Sequence, residues 1–188
     1  MGPKPQERPW VNQPILFLDI DGVLNSAEFA RRRRELKTPR RNRHHHDIDA
    51  IARFHLDPNA VARVNAVVQT TRCAVVMSSA WRVGDEYDYL RSCAILSAGG
   101  IQFDFLDRTP HLGTTRGVEI KSWLDGHPDV SRFAIVDDGS DMHPLSDRLV
   151  QTDMRFGIQA EHMHQLVSLL GDDATHTHQV PPSSAHRR

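Results

Sequence analysis

The sequence predicts an α/β protein built on an open, doubly wound, mostly parallel sheet, and three observations carry that expectation. Short continuous apolar runs recur at Ile15-Leu16-Phe17-Leu18, Cys73-Ala74-Val75-Val76-Met77 and Phe133-Ala134-Ile135-Val136. Runs of this length without alternation fit strands covered on both faces, the usual condition of a parallel sheet. Each run stops abruptly in small polar or acidic residues: Asp19-Ile20-Asp21-Gly22, Ser78-Ser79 and Asp137-Asp138-Gly139. Helical patterns lie between the runs, and strand alternating with helix implies crossover connections. Ligands of such sheets bind beyond the carboxyl ends of the strands. The three polar endings, far apart in sequence, are therefore expected to meet.

The remaining elements follow in order. Residues 1–13 carry Pro3, Pro5 and Pro9 among charges without periodicity and read as a flexible tail. Asp57-Pro58 reads as an N-cap with proline in the first turn, and Val61, Val64 and Val68 follow at helical spacing. From Asp85 to Ala98 a helix would turn Tyr89, Leu90, Cys93 and Leu96 inward before Gly99-Gly100 stops it. Ile101 to Phe105 alternates like a half-buried strand. Arg116 to Leu124 is a shorter helix, with Val118, Ile120 and Leu124 apolar and Gly126 at its end. A late strand is expected over Arg148 to Thr152 and a closing helix over Ala160 to Leu170. Residues 171–188, rich in Asp, Thr, His, Ser and Pro, are expected to be disordered.

Composition narrows the class without naming a partner. In 188 residues, 39 % apolar and 25 % charged, there is material for one domain with a real core. The formal net charge of -1 hides an uneven distribution, with arginines concentrated between residues 31 and 43. The start lacks the apolar stretch of a secretory signal and, with Gln6, misses the myristoylation pattern. No apolar run approaches the ~20 residues that span a bilayer. Cys73 and Cys93 alone fit a reducing compartment better than a disulfide framework or a cysteine zinc site. A soluble cytoplasmic protein without a membrane partner is the expectation, and no obligate protein partner follows from the sequence.

The chemistry lies in the strand endings. Two aspartates separated by one residue point the same way where the chain stays extended. Carboxylates in one crevice repel, and a divalent cation with hard oxygen ligands, Mg2+ above all, offsets them. Asp137 and Asp138 add carboxylates at another strand end, with Asp141 a turn further on. A lone Asp-x-Asp-Gly is ordinarily a turn; beside a second acidic strand end it becomes a metal and phosphate signal. Ser78 or Ser79 offers a hydroxyl for a phosphoryl oxygen. A cation is needed as well; Arg116 at the start of the predicted helix is the first candidate, and Lys121 one turn further along the second. Arg82 is a further candidate for a phosphate contact, and Trp81 fits either the core or the pocket wall.

These residues resemble the motifs of haloacid-dehalogenase (HAD) phosphatases. Phe17-Leu18-Asp19-Ile20-Asp21-Gly22-Val23 looks like the first motif and Met77-Ser78-Ser79 like the second. Arg116 or Lys121 fills the third, and Val136-Asp137-Asp138 matches the fourth. The segments Val76 to Arg82, Asp107 to Pro110, Arg116 to Ile120 and Asp137 to Met142 are similar to the branch found in Swiss-army-knife RNA repair proteins. That branch is itself similar to the phosphatase half of phage polynucleotide kinase–phosphatase. The resemblance implies a Rossmann-like phosphatase domain over 14–170, with residues 25–56 as a small basic cap-type insertion after the first strand. It implies Asp19 as nucleophile, Asp21 as acid and base, and Ser78 and Arg116 on the transferring oxygens. Ser79, Arg82 and Lys121 would touch substrate. Mg2+ would lie among Asp19, the carbonyl of Asp21, and Asp137 or Asp138. Arg116 stands where many relatives use lysine.

The phosphorylated substrate is less legible. Arg31 to Arg34, Lys37, Arg40, Arg41 and Arg43 would track a nucleic-acid backbone or form a solvated helix face. Phe29 and Phe54 are the aromatics nearest them, too few for a visible base-stacking platform. His44-His45-His46, being consecutive, cannot readily converge on one ion, and His162 and His164 read the same way. Three functions remain: a polynucleotide 3′-end phosphatase, a phosphatase of nucleotides or other small metabolites, and a non-enzymatic phosphoaspartate signalling domain.

Overall fold

In the computed structural model, residues 13–35 and 47–171 are described. Five strands, β1 (Ile15–Leu18), β2 (Ala74–Met77), β3 (Phe105–Arg108), β4 (Phe133–Asp137) and β5 (Leu149–Gln151), form one sheet in the order β3-β2-β1-β4-β5. Every pairing is parallel. Six helices accompany it among the described residues: α1 (Ala27–Glu35), α2 (Ile48–His55), α3 (Pro58–Thr71), α4 (Glu86–Ala98), α5 (Arg116–Asp125) and α6 (Ala160–Leu170). The expected α/β architecture is the one observed. None of the described helices is long and apolar enough to cross a membrane.

The apolar runs lack alternation because both sheet faces are buried. Leu16, Leu18, Val75, Met77, Ala134 and Val136 face one core, completed by α2, α3, α4 and α6. Ile15, Phe17, Val76 and Ile135 face a second core under α5, where Phe17 meets Trp123 edge-on at 5.3 Å. Asp57 caps α3 as expected, accepting from Asn59 N at 2.9 Å; Asp85 caps α4 in the same way, accepting from Asp88 N at 3.0 Å.

Several boundaries differ from the sequence expectation. The third strand begins at Phe105, not Ile101. Ile101 is nevertheless buried, and Phe103 and Phe105 pack on the same core, so the alternation reports burial rather than a hydrogen-bonded ladder. Leu90, assigned to an inner face, is exposed, as is Val118, one of the apolar residues of the shorter helix. On α4 the buried pair is Ile95 and Leu96; on α5 the inward stripe is Gly117, Ile120 and Trp123, at spacings of three. The insertion contains α1 and α2, while Lys37, Arg40, Arg41, Arg43 and His44 to His46 lie outside the described residues, as do most of both tails.

Gly117 fixes α5 against the loop after β4. A Cβ there would fall 2.3 Å from the Met142 carbonyl carbon and 2.4 Å from its oxygen, both backbone atoms. Gly117→Ala is therefore expected to force the helix off the loop at a cost of ~1–3 kcal/mol, read as a melting temperature several degrees lower. An unchanged melting curve would show that the two segments are not held in this contact.

Candidate active site

The site begins with strand register. Leu18 pairs with Met77 on one side and Val136 on the other. The next residue of each strand is thereby level with the others: Asp19, Ser78 and Asp137. Hydrogen bonds continue the ladder one step, from Asp19 N to Val136 O and from Ser78 N to Leu18 O, both 3.0 Å. Asp19 and Asp137 open into a cavity of about 390 Å³ that Asp21, Arg116 and Asp138 also line.

Asp19, Asp137 and Asp138 each offer a carboxylate oxygen within 4.8 Å of the others. Burial raises the Asp19 carboxyl to about 7, with the Asp137 charge adding to it, while Arg116 and Ser79 pull the other way. Burial likewise raises Asp137 to about 6, against the opposing Gly139 N–H and Arg116. Asp138 is raised too, chiefly by burial and then by the nearby Asp21 charge. Acids that resist ionisation this way need a compensating cation. The donor set suits a hard divalent ion such as Mg2+, since every ligand atom is a carboxylate oxygen. Asp137 Oδ2 supports that fit: it is buried and accepts no hydrogen bond among the described residues.

Gly22 lets these acids approach. With φ +73°, it lies where a Cβ would come 2.5 Å from Asp138 Cγ. The Asp21 carboxylate stands outside the three-acid group, held by Asn25 Nδ2 at 2.7 Å and the Trp81 indole N–H at 3.1 Å. Neither partner was expected to hold it. Asn25 sits four residues on in the same loop, a local signal; Trp81 comes from another strand end, so only the fold reveals it.

Arg116 stands between the acids, with Nη2 3.6 Å from Asp19 Oδ1 and Nε 3.5 Å from Asp137 Oδ2. These separations are too long for hydrogen bonds. Its buried Nη1 has no hydrogen-bond partner among the described residues, and neither has Ser78 Oγ. Buried donors of this kind can receive the oxygens of an anion such as a phosphoryl group. Lys121 is elsewhere: its ammonium binds Asp125 at 2.6 and 2.8 Å, and it does not line the cavity. Of the two cations weighed from sequence, Arg116 is the one at the site. Asp141 caps it, accepting from Arg116 N at 3.0 Å.

Arg82 lines the cavity but turns its donors into the protein. Nε donates to Thr109 O at 2.9 Å, and Nη1 donates to Ser78 O and Ser79 O at 2.7 Å each. Nη2 donates to Pro110 O at 3.3 Å and to the Glu119 carboxylate. Five N–H donors thus have five acceptors, and the expected phosphate contact is replaced by a brace on the Ser78-Ser79 loop. Burial works against the Glu119 charge, but Leu112 N–H and Arg82 outweigh it and hold the carboxyl below its ordinary value. Sequence reasoning missed Glu119; a lone acid beside the inward stripe of α5 was the available clue. His111 and Thr114 also join the cavity wall unforeseen.

The basic cluster is partly neutralised. Arg31 reaches Glu28 and Glu35, Arg32 reaches Glu28, and Arg33 lies over the Phe54 ring. Phe29 is half-buried.

The family model described as "HAD domain in Swiss Army Knife RNA repair proteins" matches residues 15–163. No curated protein and no solved structure gives a match.

Two outcomes follow from the electrostatics. Because the folded state raises Asp19 and Asp137 to about 7 and 6, it binds protons more tightly than the unfolded chain. Without metal, the contribution of these two acids to stability is then full below pH ~4 and is lost as pH rises through 6 to 7. Asp19→Asn should flatten that fall in chelator-treated protein and raise the melting temperature at pH 8 above wild type; a lower value there would contradict the repulsion. Arg82→Ala, which strands the buried Glu119, should cost ~3–5 kcal/mol by denaturant titration, and a loss under 1 kcal/mol would mean that the brace is not stabilising.

Proposed function

We propose, from the premise that this chain belongs to the family of HAD domains in Swiss Army Knife RNA repair proteins, that it hydrolyses phosphate monoesters through Asp19, with nucleic-acid 3′ ends as its substrates. Membership by itself implies a phosphatase-type hydrolase. The observation that carries the finer reading is the division of the acids: Asp19 among Asp137, Asp138 and Arg116, Asp21 apart and separately held.

Asp19 attacks phosphorus in line, forming a carboxyl–phosphate bond as the bond to the leaving oxygen breaks. Asp21, protonated, gives its proton to that oxygen. It then takes a proton from the water that cleaves the aspartyl-phosphate, releasing phosphate and restoring both acids. Ser78 and Arg116 hold the transferring oxygens. Asp19, Asp137 and Asp138, with the carbonyl of Asp21, would hold Mg2+, whose charge would offset that of the phosphoryl group and nucleophile. The match to a domain of RNA repair proteins supports a nucleic-acid substrate.

Asp19→Asn should lower phosphate release by at least ~10³-fold, and chelation should abolish it until Mg2+ is restored; activity retained in a clean Asp19→Asn preparation refutes the nucleophile. A 3′-phosphorylated oligonucleotide should be hydrolysed with higher kcat/KM than mononucleotides at matched concentration. The reverse order would favour a metabolite phosphatase, and no release even from an aryl phosphate would favour a signalling domain.

A further inference from the structure

A row of aromatic and cationic groups leads away from the Asp21 side of the cavity. The Trp81 indole N–H donates to Asp21 Oδ2 at 3.1 Å. The His55 ring meets Trp81 at 6.2 Å between centroids and Phe54 at 5.0 Å, both edge-to-face. The Arg33 guanidinium carbon lies 3.2 Å from the Phe54 ring centroid. Phe54 is nevertheless 56 % exposed, a position where a large apolar ring loses the benefit of burial. His55 is also exposed, and partial desolvation of its ring together with the Arg33 charge lowers its pKa from the ordinary value. The row thus joins the end of α2 and the last turn of α1 to the loop after β2.

We infer that Phe54 and His55, backed by Arg33 and anchored through Trp81 to Asp21, form a stacking ledge for the base of the nucleotide carrying the scissile phosphate. The inference rests on the polynucleotide reading above and adds where the leaving nucleoside sits. Asp21 protonates the leaving oxygen, so the leaving group must lie on the Asp21 side of the cavity. That is the side on which the row begins. Stacking on aromatic and guanidinium planes tolerates any base, because every base has a π-face. The ligand class is therefore a single-stranded 3′-phosphorylated end without strong sequence preference.

The test compares two oligonucleotides of one sequence, each with a 3′-terminal phosphate, one with a natural terminal base and one abasic at that residue. For the wild type, kcat/KM should favour the natural end by roughly 5- to 100-fold, the range expected of one stacked base. Phe54→Tyr should keep that ratio, while Phe54→Leu, similar in bulk but not aromatic, should bring it close to one. His55→Leu should lower it independently, so the outcome does not hang on one variant's folding. Equal wild-type turnover of both oligonucleotides, or an unaltered ratio in both leucine variants, overturns the ledge and leaves the phosphatase reading intact. Turnover of mononucleotides with none of either oligonucleotide removes the polynucleotide reading, and the ledge with it.

Discussion

The carboxylates of Asp19 and Asp137 are buried side by side at the rim of one sheet, and their repulsion is the constraint that the surrounding structure answers. Parallel register forces the proximity, since Leu18 is level with Val136 and each strand continues into an aspartate. Burial strengthens the repulsion and raises both acids above the ordinary carboxyl range. Arg116 relieves part of it from a distance too great for hydrogen bonding. The remainder is what makes the site suited to a divalent cation and a phosphoryl group.

Keeping that arrangement requires a rigid frame, and α5 supplies most of it from one sheet face. Its first turn carries Arg116, held by Asp141, and Gly117, in backbone contact with Met142 and His143. Its next residues provide Glu119, the partner of Arg82. Through Arg82 the helix reaches the carbonyls of Ser78, Ser79, Thr109 and Pro110, binding the ends of β2 and β3 to one another. A buried ion pair is weak evidence for net stability. Here its consequence is positional: it fixes the serine loop relative to Arg116.

The cap side is organised differently. Arg31 and Arg32 form exposed pairs with acids of their own helix, which contribute little energy and reduce the field available to a polyanion. Arg33 instead joins α1 to α2 through Phe54. The insertion therefore carries an exposed aromatic surface, and Trp81 connects it to Asp21, the proposed proton donor.

Sequence alone determined the parallel sheet, its three main strands and their polar or acidic endings, because two-sided burial leaves continuous apolar runs and strand ends are where polar residues collect. Asp19, Asp21, Asp137 and Asp138 were legible for that reason, and the N-cap at Asp57 was legible because capping is local. Tertiary structure decided the rest. Arg116 and Lys121 are alike as isolated cations; only the docking of α5 turns one toward the acids and leaves the other with Asp125. Arg82 reads as a phosphate ligand until the carbonyls of two distant loops surround it. Phe54 reads as one of too few aromatics until α2 sets it beside Arg33 and His55 in line with Trp81. Each of these depends on contacts between residues far apart in the chain, and no local pattern encodes which distant group a side chain will meet.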